Sequence, residues 1–510
     1  MAETKREIER KYEAGDETEL PDLTRVRGVC EVLDRGVAEL DAVYYDTPGL
    51  RLAADSLTLR RRTGGEDAGW HLKFPVATGI RDEIRAPLSD TLPRSLAGLL
   101  RSRVHDEPVV PVVRLRSARD VRHLVDGDGT LLAELSVDTV HAERLGEGGG
   151  ATASWKEIEV ELADGADPAL LDTVEKRLRK AGIRPSSSPS KLARAVAETT
   201  PKEAAPARPE QAAEDDDTAG ARVLAYVREQ IDAIVAFDPA VRRDLPDSVH
   251  KMRVATRRLR SAFKTYRKVL DRKVTDPVGE ELKWLAGELG VARDQEVLLA
   301  RLRGRLDELP PTLLLGPVHA RLRIWDVSRG VDARRTALAA LDSDRYLMLL
   351  KTLDALLADP PLRKDARKAP APVLARAVLK DYDRLAARVE RALALPAGHD
   401  RDLAMHQARK AAKRARYAAD AATPTLGKPA KRFARRMKAL QSVLGDHQDS
   451  VVAREALRTL AIQAHAAGET AFTWGLLHGR EEAAGAAGER AFPDAWKRAS
   501  APKPRAALAR

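Results

Sequence analysis

Arg6-Glu7-Ile8-Glu9-Arg10-Lys11-Tyr12 decides the reading of this chain. Laid out as a strand, its side chains alternate between two faces. Glu7, Glu9 and Lys11 point one way, and Ile8, Arg10 and Tyr12 the other. Two carboxylates and an ammonium in a row do not suit a dry core, because unpaired buried charge is costly. Such a face must meet water, counter-charges or a metal. Hard divalent cations prefer carboxylate oxygens, commonly one or two together with substrate phosphates.

The residues up to about Ala197 continue in the same style. Strand signals fall at Ala42–Tyr45, Leu57–Arg62, Trp70–Phe74, Arg81–Ala86, Val109–Arg116, Leu131–Asp138 and Trp155–Leu162, with turn residues such as Asp46-Thr47-Pro48-Gly49 and Thr63-Gly64-Gly65 between them. Many short strands separated by turns favour an antiparallel sheet or barrel. Charged residues again share faces: Arg60 with Arg62, Arg81 with Glu83 and Arg85, Arg114 with Arg116, and Glu157 with Glu159 and Glu161. Lys73 lies on a strand between them. If the apolar alternates pack against outer helices, the charged alternates line a lumen. Arginine suits bidentate phosphate contacts and lysine supplies a point charge. The acidic strands would repel an anionic ligand unless a cation bridged them, so Mg²⁺ or Mn²⁺ held against a triphosphate satisfies both sets. A sandwich with the charges outside fits any one strand, but fits the set less well.

These residues resemble the CYTH superfamily, the triphosphate tunnel metalloenzymes. Glu7-Ile8-Glu9-Arg10-Lys11 is similar to its E-x-E-x-K signature. Leu59–Arg62, Leu72-Lys73, Arg81–Arg85, Lys156–Leu162 and Ser190-Lys191 follow in the family's order. The resemblance implies an eight-stranded antiparallel tunnel that binds a triphosphate with a divalent metal and hydrolyses a phosphoanhydride bond. It implies Glu7 and Glu9, with Glu157 or Glu159, as metal ligands. It also implies Lys11, Arg60, Arg62, Lys73, Arg85, Arg114 and Arg116 as phosphate clamps, with Lys191 closing one mouth. Glu157, Glu159 and Glu161 are the candidates to orient water. Leu192 stands where the family often has tyrosine.

Residues 198–220 are rich in proline, alanine and acidic residues and poor in large apolar ones, the composition of a linker. From Ala221 to the C-terminus the pattern becomes helical and repeats itself. Val249–Arg260, with His250, Arg253 and Arg257, aligns with Met405–Arg416, with His406, Arg409 and Lys413. Leu289-Gly290…Asp294 aligns with Leu444-Gly445…Asp449. His250, Arg253, Arg257, Arg260 and Lys264 share one helix face; His406, Arg409, Lys413 and Arg416 share another, with Lys410 and Arg414 beside them. Like charges at this spacing repel, so an anion is the natural counterweight. The repeat resembles the CHAD domain. That resemblance implies two four-helix bundles with a basic groove that binds inorganic polyphosphate, and Asp294 and Asp449 orienting the basic side chains.

The whole chain supports the same class of partner. Of its 510 residues, 32% are charged and the net charge is +11, which calls for an anionic ligand, while 4% aromatic content disfavours single-stranded nucleic acid. One cysteine excludes an intrachain disulfide, and no apolar run is long enough to span a bilayer. The expectation is an α+β protein: a tunnel domain over 1–197, a linker over 198–220 and a helical domain over 221–510. It would be cytoplasmic, able to associate with polyphosphate granules, hydrolysing inorganic triphosphate and binding polyphosphate. The rival readings are a thiamine or nucleoside triphosphatase and a non-catalytic polyphosphate-binding protein.

Overall fold

A computed structural model of the chain describes residues 3–65, 67–146, 149–200 and 217–508. The chain divides into two compact units, Met1–Glu210 and Gln211–Arg510. Most of the expected linker, residues 201–216, lies outside the described residues.

In the first unit, eight antiparallel strands close a barrel in the order β1-β5-β4-β3-β2-β6-β7-β8. They are β1 (Glu3–Ala14), β2 (Glu31–Asp46), β3 (Thr58–Thr63), β4 (Gly69–Ala77), β5 (Ile80–Ala86), β6 (Val110–Val125), β7 (Leu131–Arg144) and β8 (Thr152–Leu162). Closure removes every sheet edge and gives the barrel two faces with opposite chemistry. The apolar alternates point outward. Leu59, Leu72 and Ile84 pack under α1 (Arg51–Ala54) and α2 (Arg94–Val104); Tyr12, Ile158 and Val160 pack under α3 (Ala169–Lys180). The charged alternates point into the lumen, so the strands can be buried on both sides only by pairing charge with charge.

Several strands outrun their sequence signals, β7 among them, which runs to Arg144 rather than ending at Asp138. β2 begins at Glu31 rather than near Ala42, and β6 runs to Val125 rather than ending at Arg116. Residues 31–41 and 117–125 are too polar to read as strand alone, yet the two segments hydrogen-bond to each other along their length. β4 continues through Pro75, which sits near its end, beside a register shift at Pro75/Ala77. A proline there removes no central ladder bond.

The β4–β5 turn also steadies β1. The Glu9 amide donates to the Gly79 carbonyl (2.9 Å). Gly79 has φ +72°, and a Cβ there would stand 2.8 Å from the Glu9 carbonyl oxygen.

The second unit is helical: α5 (Ala219–Arg242), α6 (Ser248–Thr265), α7 (Arg272–Asp307), α8 (Val318–Asp342), α9 (Asp344–Ala358), α10 (Pro370–Ala394), α11 (His399–Leu426), α12 (Lys428–Ala466), α13 (Phe472–Ala499) and α14 (Pro502–Ala506), after the short α4 (Lys191–Thr199) that ends the first unit. Successive helices pack as neighbours from α5 to α8 and again from α10 to α13, giving two four-helix bundles. Their repeated basic helices, α6 and α11, meet in the middle. Met252, Leu259 and Phe263 of α6 and Met405, Ala412 and Ala415 of α11 belong to one shared core. None of the helices among the described residues is long and apolar enough to cross a membrane.

Replacing Gly79 by alanine combines a left-handed backbone with a clash against β1. It is expected to cost about 1–2 kcal/mol for the backbone alone and to lower the unfolding midpoint of the barrel. A midpoint equal to wild type in a denaturant titration would contradict this reading of the turn.

Candidate active site and cationic groove

The lumen holds a cavity of about 630 Å³. Its floor is β1 and β8, which run side by side with Glu9 opposite Glu161 and Lys11 opposite Glu159. Glu7, Glu9, Glu159 and Glu161 all line it, as do Lys5, Lys11, Arg60, Arg62, Lys73, Arg81, Arg85, Arg119 and Lys191. The structure thus brings together most of the residues singled out in the sequence.

They form a network of exchangeable ion pairs. Lys73 Nζ lies 2.6 Å from Glu7 Oε2. Glu83, fully buried, is met by His71 Nδ1 (2.8 Å), Arg85 Nε (2.5 Å), Arg60 Nη2 (3.4 Å) and Lys73 Nζ (3.5 Å). Arg62 donates to Asp67 (2.6 Å); burial and the neighbouring Arg60 push its pKa down to about 10. Burial raises the Glu7 carboxyl above its ordinary range despite Lys73. Burial opposes the charge on Glu159, but Lys11, Lys191 and Arg119 together hold its carboxyl well below that range.

At the closed end, Asp138, Glu157 and Glu159 gather with their oxygens all within 4.8 Å of one another. Lys191, at the start of α4, reaches in from that end, with Nζ 2.8 Å from Asp138, 2.9 Å from Glu157 and 2.7 Å from Glu159. Ser190 caps α4 by accepting from the Ala193 amide (3.1 Å), which fixes where Lys191 enters. Leu192 and Ala195 then pack on Tyr44, Val113 and Leu115, so the end is stopped by apolar contact. Leu192 is buried there.

The carboxylates nearer the middle suit a hard divalent cation. Glu9 and Glu161 face each other across the ladder, a like-charge pair that destabilises a sheet unless neutralised. Glu9 is only 8% exposed, and its cation among the described residues is Lys11 at 3.5 Å. Glu157 differs: it accepts from Trp155 Nε1 (2.6 Å) and does not line the cavity, while Lys191 meets it and Glu159 alike. Among the β8 acids, Glu159 and Glu161 face the cavity.

Two expected clamps stand elsewhere. Arg114 and Arg116 lie on the outer face of β6. Arg114 Nε donates to Asp41 (2.9 Å), and Arg116 is exposed. The lumen-facing arginine of that strand is Arg119, which grips Asp138 with Nε (2.8 Å) and Nη2 (2.7 Å) and also reaches Glu159 (2.8 Å). Arg119, Asp138 and His71 were not singled out in the sequence. For Arg119 the local signal is the alternation Arg119-Val121-His123, which falls past Arg116, where the sequence ends β6; His71 and Asp138 lie within strands that the sequence marks.

In the second unit a cavity of about 520 Å³ lies between the repeated helices. It is lined by His250, Arg253 and Arg257 of α6 and by His406, Arg409, Lys413 and Arg416 of α11, with Arg293 and Arg301 added by α7. The repeat explains itself here. Arg253 Nη1 donates to Asp294 (3.1 Å) and its guanidinium lies 3.1 Å from where a Gly290 Cβ would be. Arg409 repeats this with Asp449 (3.7 Å) and Gly445 (3.5 Å). Each glycine gives the arginine room, and each aspartate aims it. Lys413 faces Arg257, Arg409 and Arg416; burial and these cations push its pKa down to about 7. Burial and the neighbouring cations likewise lower the pKa of His250 and His406.

Four expected groove residues lie off it. Arg414 pairs with Asp381 (2.5 Å), Arg260 stands 3.9 Å from Glu280, and Lys264 and Lys410 are exposed or turned away from the cavity. Lys410 and Arg414 each stand one position past a groove residue and so are turned by about 100°, whereas Arg260 and Lys264 keep the face but lie farther along α6.

The family of the CYTH domain matches residues 5–196, and that of the CHAD domain residues 225–458. An uncharacterized protein of Mycobacterium tuberculosis is 40% identical over 489 residues, covering 93% of this chain and 92% of that protein. Thiamine-triphosphatase of Homo sapiens is 41% identical over 80 residues, 16% of this chain and 31% of that enzyme. Among solved structures, the CHAD domain from the plant Ricinus communis matches at 26% identity and TM-score 0.40, over 57% of this chain and 92% of that one.

Replacing Arg119 by methionine leaves the acidic cluster of Asp138, Glu157 and Glu159 short of one cation. It is expected to destabilise the barrel by about 3–5 kcal/mol, and adding Asp138→Asn in the same chain should recover part of the loss. A double-mutant cycle in denaturant titrations measures both; simple additivity would refute the coupling.

Proposed function

Since the chain belongs to the family that joins an N-terminal CYTH domain to a C-terminal CHAD domain, we propose that its tunnel hydrolyses inorganic triphosphate and that its helical unit binds polyphosphate. Membership of the triphosphate tunnel family follows from the domain match. One observation chiefly supports inorganic triphosphate as the substrate. Ten lysines and arginines and five glutamates converge on one small lumen whose lining, among the described residues, carries a single phenol, Tyr44, and no other phenyl or indole ring. A nucleoside or thiamine moiety would ask for a stacking surface that this lining does not offer, whereas a bare phosphate chain needs only cations.

Glu7 and Glu9, with Glu159 or Glu161, would hold Mg²⁺ or Mn²⁺, which supplies charge neutralisation on the phosphoryl oxygens. The chain's own groups do the rest. Lys73 leaves Glu7 and Arg85 leaves Glu83 to take phosphate oxygens, so substrate replaces internal carboxylates as their partner. Arg60 and Arg119 stay anchored by Glu83 and Asp138 and present fixed donors, the preorganised arrangement that favours charge building up on a leaving phosphate. Glu159, held as an anion by three cations, orients water by accepting its hydrogen bond.

In the helical unit, the unbalanced cations of the groove would be satisfied by a polyphosphate chain, which could hold the protein on polyphosphate granules. Binding an anion restores the ordinary pKa of Lys413. Below pH about 7 Lys413 is already charged and binding takes up no proton. Above it binding takes up one, so affinity should fall, by at most about tenfold per pH unit, as pH rises from 7 toward 9. Lys413→Arg should flatten this slope. An equal slope in wild type and variant, measured by titration with polyphosphate at fixed ionic strength, would remove Lys413 from the groove's chemistry.

Phosphate release from tripolyphosphate, ATP and thiamine triphosphate, with Mg²⁺ and with Mn²⁺, tests the tunnel. Release is expected to be fastest from tripolyphosphate, to need the metal, and to fall by at least about 100-fold in Glu7→Ala/Glu9→Ala. Faster release from thiamine triphosphate would give the substrate to the thiamine-triphosphatase class. No release from folded protein would leave a polyphosphate-binding protein without catalysis.

A further inference from the structure

The second helical bundle carries a group of side chains that the groove does not use. Asp402 of α11, His447 of α12 and Glu489 of α13 place one donor atom each within 4.8 Å of one another. His447 Nε2 lies 3.0 Å from Asp402 Oδ1 and 3.7 Å from Glu489 Oε1. His447 is 1% exposed, and its Nε2 has no hydrogen-bond partner despite these distances. The ring nitrogen therefore points among the two carboxylates without the angle that an N–H donor would need. A buried imidazole nitrogen left unpaired is costly; a lone pair aimed at a cation would not be.

The surroundings leave the carboxylates available. Arg454 stands 3.5 Å from Asp402 and Arg401 3.5 Å from Glu489, loose ion pairs. α13 comes close at this point because Gly488 has no side chain: a Cβ there would meet the His447 Cβ at 3.2 Å. The duplication supplies a contrast. His447 corresponds to Ala292 in the first copy of the repeat, and Asp402 to Pro246. The first copy thus lacks both donors while keeping the arginine, glycine and aspartate that shape the groove.

We infer that Asp402, His447 and Glu489 form a site for a first-row divalent transition-metal ion, tying α11, α12 and α13 together. One imidazole and two carboxylates suit Zn²⁺, Mn²⁺ or Co²⁺, whereas Mg²⁺ prefers all-oxygen surroundings such as those of the tunnel. Separations of 3.0 and 3.7 Å are those of ligand atoms that share one ion at about 2.0–2.2 Å. Water would complete the coordination. The site lies one helical turn from His406 and beside Gln448, which both line the groove, yet it needs no phosphate and stands apart from the reading of the tunnel.

Equilibrium dialysis of the full-length protein against Zn²⁺ tests it, with His447→Gln, Asp402→Asn and Glu489→Gln as near-isosteric variants. Because the tunnel carboxylates can also take a divalent cation, each reading is a difference from wild type in otherwise identical chains. His447→Gln is expected to lose one equivalent of bound Zn²⁺, and the two amide variants to weaken that equivalent by at least about tenfold. Tripolyphosphate hydrolysis should be unchanged in all three. Co²⁺ added to wild type should give a visible ligand-field absorption that His447→Gln lacks, and circular dichroism confirms that the variants are folded. Equal Zn²⁺ stoichiometry and affinity in wild type and His447→Gln would overturn the site, and the cluster would then be a structural contact between His447 and Asp402. Should His447→Gln fail to fold, the amide variants and the wild-type Co²⁺ spectrum decide in its place.

Discussion

Charge enclosed in a closed barrel has nowhere to go. The outer faces of the strands are committed to packing under α1, α2 and α3, so every lumen carboxylate must find its cation inside. Glu159 meets Lys11, Arg119 and Lys191; Glu83 meets Arg60, Lys73 and Arg85; Glu7 meets Lys73. This balance governs both stability and chemistry. The same cations that neutralise the acids are the groups available to phosphate. An anion can enter only if the acids it displaces receive another cation, which is the physical reason for a tunnel of this composition to require metal and phosphate together.

The helical unit solves a different problem. Its two basic stripes face each other with Asp294 and Asp449 as the acids lining the cavity between them. Repulsion is tolerated because the arginines are aimed and packed over Gly290 and Gly445 rather than free to turn away. Burial first, and then the neighbouring arginines, push the Lys413 pKa down to about 7.

How much of this was legible in the sequence follows from how local each signal is. The E-x-E-x-K face of β1 could be read because alternation along one strand needs no partner. The repeated H-x-x-R helices could be read because the chain states them twice. Arg119 was hidden because the far half of β6 is strand only through its pairing with β2, a segment equally polar and distant in sequence. Ending β6 at Arg116 favoured Arg114 and Arg116, whose parity puts them outside. Helix periodicity gathered Lys410 and Arg414 with the groove residues because a stripe in sequence is broader than the arc a neighbouring helix leaves open, and Arg260 and Lys264 because periodicity does not say how far along a helix a groove extends. The grip of Lys191 on three carboxylates depends on α4 folding back over the barrel end, which no spacing announces.

These differences set the two sites apart in how they can discriminate ligands. In the groove an anion gains attraction without breaking any strong internal pair, so its length and charge matter more than its shape, and salt weakens it steeply. In the tunnel each gain on phosphate is offset by a pair broken at Glu7 or Glu83, so only a ligand that satisfies several cations at once, in positions fixed by strand register, recovers the cost. Under the proposed function, a groove collecting long polyanions loosely and a tunnel accepting a short one selectively would both follow from where the carboxylates stand: few beside the helical cations, and one or more beside nearly every cation of the barrel.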